Sequence, residues 1–287
     1  MRKDPSMGKK IIRGTLLDCV QDPWSNEDER AAIRYFSDGA LVVQDGEILE
    51  LGPAREILEA HHELPVEDFS GSLLVPGFVD VHLHYAQTKI IGSFGRQLLE
   101  WLQTYTFPEE LKFTDKTYAD EVAAIFFQEM LRAGTTTVQS FATTHPNSVI
   151  AFFEEAERRG VQGLCGLTGI DREGAAPDAY RDTANGFYEG SKELLERFHG
   201  KGRNLYSISP RFAFGSTPAQ LEMAGKLAEE HPDCWIQTHL SENPAEVASV
   251  LELFPDCDDY LGVYEKYGLV RKKFVAGHSI YLSLIHI

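Results

Sequence analysis

The residues best suited to chemistry lie within Pro76-Gly77-Phe78-Val79-Asp80-Val81-His82-Leu83-His84. Side chains two apart on a strand share a face, so His82 and His84 project side by side from one strand end. Two imidazoles held that way make half of a metal site, and imidazole suits Zn, Fe or Cu ions. The apolar run Leu73-Leu74-Val75 ahead of them predicts a buried strand over Leu73 to His84. His239 supplies a third nitrogen, and three protein ligands are typical of a catalytic zinc with an open position for water. Glu242 follows three residues later, where its carboxyl group is placed to pass protons to a substrate. His278 ends the next predicted strand and faces the same side.

These groups need a scaffold that brings distant strand ends together. Ile11 to Val20 and Ala40 to Leu51 read as strands, the second folded over an Asp45-Gly46 turn. This predicts a small β module over residues 1–72. Beyond it the pattern becomes apolar strands alternating with helical stretches, predicting a second domain over residues 73–287. The strands are Leu73–His84, Thr135–Phe141, Gly163–Thr168, Leu205–Ser209, Trp235–His239 and Phe274–His278. Helices are expected near 116–133, 147–159, 180–198, 218–230, 245–254 and 260–267.

Short apolar strands alternating with helices describe a parallel sheet covered on its faces. A doubly wound sheet would favour a Gly-rich phosphate loop after its first strand, and none is present. Histidines, Arg211 and Glu242 instead sit after several different strands, as catalytic groups do in a TIM-type (β/α)₈ barrel. The predicted fold is therefore α/β: a (β/α)₈ barrel of which six units are visible, preceded by a small all-β module.

Composition narrows the function further. A formal net charge of −17 disfavours nucleic-acid binding, which needs a basic surface. Cys19, Cys165, Cys234 and Cys257 are dispersed, as reduced thiols of an intracellular protein are. No apolar stretch matches a membrane span, and the polar Met1–Lys10 segment has no signal-like apolar core. A soluble, cytoplasmic protein is expected, with neither membrane nor nucleic-acid partners.

The remaining histidines read as structural. His61-His62-Glu63 lacks the second ligand of a metalloprotease motif, since Val66 stands there. His199 and His231 lie near helix ends, which favour partial positive charge. His145 follows the second strand and is left as a candidate supporting residue. The Pro-Cys-x-x-Cys type of zinc deaminase is excluded by cysteine spacing.

Taken together, Pro-Gly-Phe-Val-Asp-x-His-x-His, the later His239 and His278 resemble the metal-dependent amidohydrolase superfamily. Within it, the chain is similar to the guanine deaminases from about Ile11 to Ser283. The selective segments are Leu98-Leu99-Glu100-Trp101-Leu102 with Tyr105-Thr106-Phe107-Pro108, Gly134-Thr135-Thr136-Thr137, Pro210-Arg211-Phe212 and His239-Leu240-Ser241-Glu242-Asn243. Tyr264 and Tyr281-Leu282-Ser283 also fit.

The resemblance implies a hydrolase of guanine catabolism that converts guanine to xanthine and ammonia. It implies one zinc per chain, with iron as the alternative, on His82, His84 and His239. Glu242 would be the proton shuttle, and His278 would orient the attacking water. Gln87 and Arg211 would grip the base's polar edge, and Phe212 would offer a stacking face. A homodimer is implied for the full-length form.

The family also uses an aspartate from the last barrel strand, and no residue here matches it; its N-terminal β-sandwich module is completed by strands from the far C-terminus, so the resemblance implies that this module is incomplete here. The segment Leu284-Ile285-His286-Ile287 does not resemble the acidic helix start expected there, and His286 is assigned no role. A C-terminally truncated, largely inactive fragment is the resulting expectation. The alternatives are a related enzyme deaminating or dechlorinating another heterocycle, and a non-catalytic scaffold.

Overall fold

The computed structural model describes residues 8–25, 28–95 and 97–282 of the 287-residue chain. Ser283, the Leu284–Ile287 segment and His286 lie outside these residues. The chain divides into two compact units, Met1–Gly77 and Phe78–Ile287.

The first unit is built on a four-stranded sheet of β1 (Lys10–Cys19), β2 (Ile33–Gln44), β3 (Glu47–Pro53) and β4 (Val66–Leu74). The strand order is β3-β2-β1-β4, with β4 parallel to β1 and the other pairs antiparallel. The β2–β3 hairpin turns where Asp45-Gly46 predicted, with φ of 53° and 83°. Both residues at positive φ match a hairpin turn of the primed type, which suits strand twist. Helix α1 (Ala54–Ala60) packs Ala54 and Ile57 against Ile11, Ala40 and Val42.

The predicted continuous strand Leu73–His84 is two strands. Leu73 and Leu74 pair with Thr15 and Leu16 of β1, while β5 (Phe78–His84) starts the second unit. Pro76, which has no N–H to donate, lies in the break. The expectation of buried apolar flanks also fails: Phe78, Val79 and Val81 are 60%, 62% and 50% exposed.

After β5 a long helical insertion runs through α2 (Leu98–Trp101), a π turn (Leu102–Thr106), α3 (Phe107–Glu110) and a final tight turn (Leu111–Thr114). The alternation then proceeds as α4 (Lys116–Arg132), β6 (Thr135–Phe141), α5 (Pro146–Arg159) and β7 (Gln162–Gly166). It continues through β8 (Thr168–Gly169), α6 (Ala184–Phe198), β9 (Asn204–Pro210), α7 (Pro218–Glu230) and β10 (Trp235–Leu240). The last elements are α8 (Pro244–Leu253), α9 (Tyr260–Lys266) and β11 (Phe274–His278).

Side-chain caps start several helices, because the first N–H groups of a helix have no partner within it. Asp115 accepts from Thr117 N–H at 2.8 Å, and Thr217 caps α7. Asn243 and Glu246 form a reciprocal capping box on α8. Gly160, at φ 70°, ends α5 in the left-handed conformation that glycine adopts without a Cβ clash.

Strands β5, β6, β7, β9, β10 and β11 pair in parallel in the order β11-β10-β9-β7-β6-β5, with β8 beside β9. The sheet curls until its end strands meet at His82 and Gly277, giving a nearly closed parallel barrel of the TIM type. Its outward faces pack on the helices through residues such as Phe127, Val138, Phe152, Ile208, Leu227 and Ile236. Inside lies a buried polar layer: Gln139 donates to Ser207 at 2.9 Å and Gln237 donates to Ser209 at 2.8 Å. Gln237 and His239 are two apart on β10, so they share a face: the glutamine fills the interior and the histidine stands above it.

Candidate functional site

The site is built from strand ends. β5 carries His82 and His84, β10 carries His239 and leads to Glu242, and β11 ends on His278. β9 runs out through Pro210 into Arg211 and Phe212, while Gln87 sits in the turn Tyr85–Ile90 just after β5. Seven of the eight expected site residues line one cavity of about 200 Å³, and His82 lies beside it against His84 and His239. Gln87, Arg211, His84, His239, His278 and Glu242 supply its polar side, and Phe212, Leu98, Trp101 and Leu102 its apolar side.

The three expected ligands present ring nitrogens within 4.8 Å of one another. His239 Nδ1 lies 2.7 Å from the Arg211 carbonyl oxygen, an acceptor, so Nδ1 carries the proton and Nε2 keeps its lone pair. That Nε2 faces His84 Nε2 at 2.9 Å, and His82 Nε2 faces His278 Nε2 at 3.3 Å. The Nδ1 atoms of His82 and His84 are buried and have no hydrogen-bond partner.

Burial, more than mutual repulsion, holds His84 and His239 well below the ordinary imidazole pKa and lowers His82 to about 4. Neutral imidazoles are the form that ligates metals, so this donor set fits a borderline-soft divalent ion. Phe141, at the end of β6, stacks on both His84 and His239 with centroids 4.9 and 4.6 Å away. No motif singled it out in the sequence; it limits the rotation of the two imidazole rings.

Glu242 Oε2 lies 3.4 Å from His278 Nε2. Burial and the nearby Glu246 raise the Glu242 carboxyl to about 7, outweighing the opposing pull of Arg211. A carboxyl group poised there can hold or release a proton near neutral pH. Glu246 in turn accepts from the Glu242 and Asn243 N–H groups at 3.1 and 3.2 Å, fixing the loop. His278 has a φ of 66°, Ser279 54° and Ser241 51°. Left-handed backbone at non-glycine residues is strained, and here it turns the strand ends over the cavity. Hydrogen bonds from Ser279 N–H to Leu240 and from Tyr281 N–H to Ser241 hold the two loops together, at 2.8 and 3.0 Å.

Tyr264 supports the site from α9. Its hydroxyl donates to the His239 carbonyl at 2.7 Å and accepts from Ala213 N–H at 2.9 Å. This ties β10 to the segment that follows Arg211-Phe212.

Two buried groups that sequence reasoning missed are Glu110 and Tyr180. Glu110 pairs with Arg211 Nη1 at 2.8 Å, accepts from Gln87 Nε2 at 3.0 Å, and accepts from the Tyr180 hydroxyl. Nothing in Phe107-Pro108-Glu109-Glu110 distinguishes it from an ordinary acidic helix start. Trp101 and Leu98 belong to a segment already marked by the resemblance, but their place on the cavity wall comes from the helical insertion.

The other histidines are structural. His61 Nε2 pairs with Glu50 at 2.7 Å. His145 occupies the residue before α5 without a side-chain capping bond, with its ring 5.9 Å from that of Tyr180. His199 comes near Asp233 and Cys234, a grouping with metal-ligand chemistry. Its Nδ1, however, accepts from Tyr206 N–H at 2.9 Å, and burial pushes the Cys234 thiol up to about 12. Its Nε2 lies 2.9 Å from Asp233 Oδ2, so both ring nitrogens are engaged and His199 joins the end of α6 to β9 and to the turn before β10. Among the described residues, no helix is long and apolar enough to cross a membrane.

The sequence profile of the amidohydrolase family matches residues 73–286. The guanine deaminase of Escherichia coli K12 is 44% identical over 96% of this chain, which spans 62% of that protein. The crystal structure of guanine deaminase from Bradyrhizobium japonicum superposes with a TM-score of 0.92 at 49% identity, over 96% of this chain and 59% of that one. A guanine deaminase from C. acetobutylicum, solved with guanine bound in its active site, gives a TM-score of 0.84 at 28% identity, covering 97% of this chain and 64% of the other. The chain thus spans about three fifths of the length of these relatives. With the strand-end histidines arranged as described and three quarters of its length matched by the family profile, the chain belongs to the amidohydrolase family.

Proposed function

We propose that the protein is a zinc-dependent guanine deaminase, hydrolysing guanine to xanthine and ammonia. The observation that carries this reading is the convergence of His82, His84 and His239 with Glu242 against a wall bearing Gln87 and Arg211. The named relatives support the choice of guanine over other heterocycles.

His82, His84 and His239 would hold the ion, with Arg211 O fixing the proton of His239. A zinc ion bound there supplies a Lewis acid and lowers the pKa of a water molecule toward neutrality. Arg211 and Gln87 address the polar edge of the base, and Phe212 offers a ring face to it. Glu242 takes a proton from the attacking water and passes it to the purine ring nitrogen as the amino-bearing carbon becomes tetrahedral. The carboxylate so regenerated takes the remaining proton of the new hydroxyl and delivers it to the amino nitrogen, which leaves with the broken C–N pair as ammonia while the carbonyl of xanthine forms. His278, within reach of Glu242, orients the water. One water is consumed for each ammonia released.

The family's aspartate ligand has no counterpart among these residues, so residues 1–287 alone are expected to turn guanine over little. The test is zinc content, calorimetric guanine binding and xanthine formation with the purified chain. One zinc per chain and saturable guanine binding are expected, with turnover far below the usual ~10 s⁻¹ of enzymes. A chain that takes up no zinc and binds no guanine overturns the assignment. Turnover at an ordinary rate overturns only the expected inactivity.

A further inference from the structure

We propose that Glu110 is a positioning residue of the purine pocket, locking the Gln87 amide and the Arg211 guanidinium into one donor–acceptor edge that selects a lactam over an amidine. The proposal rests on the purine reading above and deepens it.

Glu110 lies at the end of α3 and is fully buried. Its Oε1 accepts from Gln87 Nε2 at 3.0 Å and from Arg211 Nη2 at 3.3 Å. Its Oε2 accepts from Arg211 Nη1 at 2.8 Å and from the Tyr180 hydroxyl. A carboxylate has about four lone-pair sites, so these four donors fill it. Glu110 has no capacity left for a ligand and can act only through its neighbours.

Three consequences follow from that saturation. First, a carboxylate paired with arginine accepts and does not donate, so it dictates which end of the Gln87 amide faces it. The amide nitrogen is committed, and the carbonyl oxygen is the acceptor left for the cavity. Second, Arg211 is only 3% exposed, and an unpaired cation buried so deeply would favour anions. Paired with Glu110, it becomes a neutral array of N–H donors suited to an uncharged base. Third, the two groups together present donors beside an acceptor. A lactam edge, C=O next to N–H, complements that order. An amidine edge, C–NH₂ next to a bare ring nitrogen, presents the reverse polarity and leaves buried groups unpaired.

Tyr180 completes the arrangement from the loop before α6. Its hydroxyl lies 3.3 Å from Arg211 Nη1 as well as on Glu110, and its ring packs on Phe107 with centroids 4.9 Å apart. The four residues reach one point from the turn after β5, the insertion, the loop before α6 and the end of β9.

Guanine and 2,6-diaminopurine test this directly, because they differ only in a lactam or an amidine at one edge. Binding of each to the zinc-loaded chain is measured by calorimetry. The unaltered chain should prefer guanine by about 100-fold, the scale set by leaving one buried polar group unsatisfied. Glu110→Gln should lower guanine affinity about 10- to 100-fold and bring the preference down to a few-fold. Gln87→Ala should then cost much less on the Glu110→Gln background than alone, since coupled residues are not additive.

An unchanged preference in Glu110→Gln, or full additivity with Gln87→Ala, overturns the proposal while leaving the purine reading intact. Failure of the unaltered chain to bind guanine overturns both. If Glu110→Gln does not fold by circular dichroism, Tyr180→Phe decides, because it removes one of the four donors and leaves the ion pair. It should weaken guanine binding by about 3- to 10-fold and narrow the preference, in line with the net worth of one ordinary hydrogen bond. No change in either quantity overturns the assignment of Glu110.

Discussion

His239 illustrates how much one residue can be asked to do. Its Nδ1 proton is held by Arg211 O, its ring lies against Phe141, and its carbonyl accepts from Tyr264. Each contact removes a degree of freedom that a metal ligand must not have. Replacing His84 or His239 with alanine should abolish stoichiometric zinc binding, read by metal analysis after dialysis; retained zinc would remove them as ligands. A second residue-scale prediction concerns Asp182, away from the histidines. Burial raises its carboxyl to about 7, although Gln220 and Ile170 N–H donate to it at 2.8 and 3.2 Å. Its Oδ2 is buried without a partner. Because the folded pKa lies above the unfolded value near 4, the folded state binds more protons between those limits. Stability contributed by the protonated form is therefore lost as pH rises from about 4 to about 7. Asp182→Asn should remove that slope and be the more stable protein at pH 8, on the order of 2 kcal/mol, in thermal melts across pH. Parallel pH profiles for the two proteins would rule this out.

At the scale of elements, the close approach of β5 and β11 depends on a missing side chain. A Cβ at Gly277 would lie 2.3 Å from His82 Cε1 and 2.7 Å from Nδ1. The histidine ring could swing away from it, so Gly277→Ala should leave the fold intact. It should weaken zinc binding about 10- to 100-fold, the scale seen when ligand orientation is disturbed. Unchanged affinity with a native melting temperature would show that His82 does not contribute to the site. Elsewhere the close approach is unforgiving: at Gly166 a Cβ would fall 1.8 Å from Ser207 O, where backbone cannot yield. The periodicity of the sequence marked all six barrel strands, since alternating apolar segments with capped helices between them are local signals. It misjudged Leu73–His84, because an apolar run carries no mark of where one sheet ends and another begins. The helical insertion was harder still. The α and π turns over Leu98–Glu110 owe their place to the packing of Leu102, Phe107 and Tyr180 with Ile170 and Phe212.

For the molecule as a whole, the barrel's end strands β5 and β11 approach each other at His82 and Gly277 without pairing as neighbours in the sheet. β5 presents exposed Val79 and Val81 beside unpaired backbone, the combination that recruits further strands. The described chain should therefore self-associate in sedimentation experiments over about 10–100 μM, and Val79→Lys with Val81→Lys should shift it toward monomer. Identical monomeric sedimentation of both proteins would contradict this. The grouping of the candidate residues was legible without coordinates: histidines two apart, a third histidine with a glutamate three residues on, and strand ends as the meeting place. These follow from residue type and from the two-residue period of a strand, both local properties of the chain. The Glu110–Arg211–Gln87–Tyr180 cluster and the Phe141 stack join residues separated by tens of positions, through side chains of ordinary type. Only barrel curvature and packing bring them within hydrogen-bond or ring-contact distance, so the tertiary structure alone decided which polar groups face the cavity and which are held behind it.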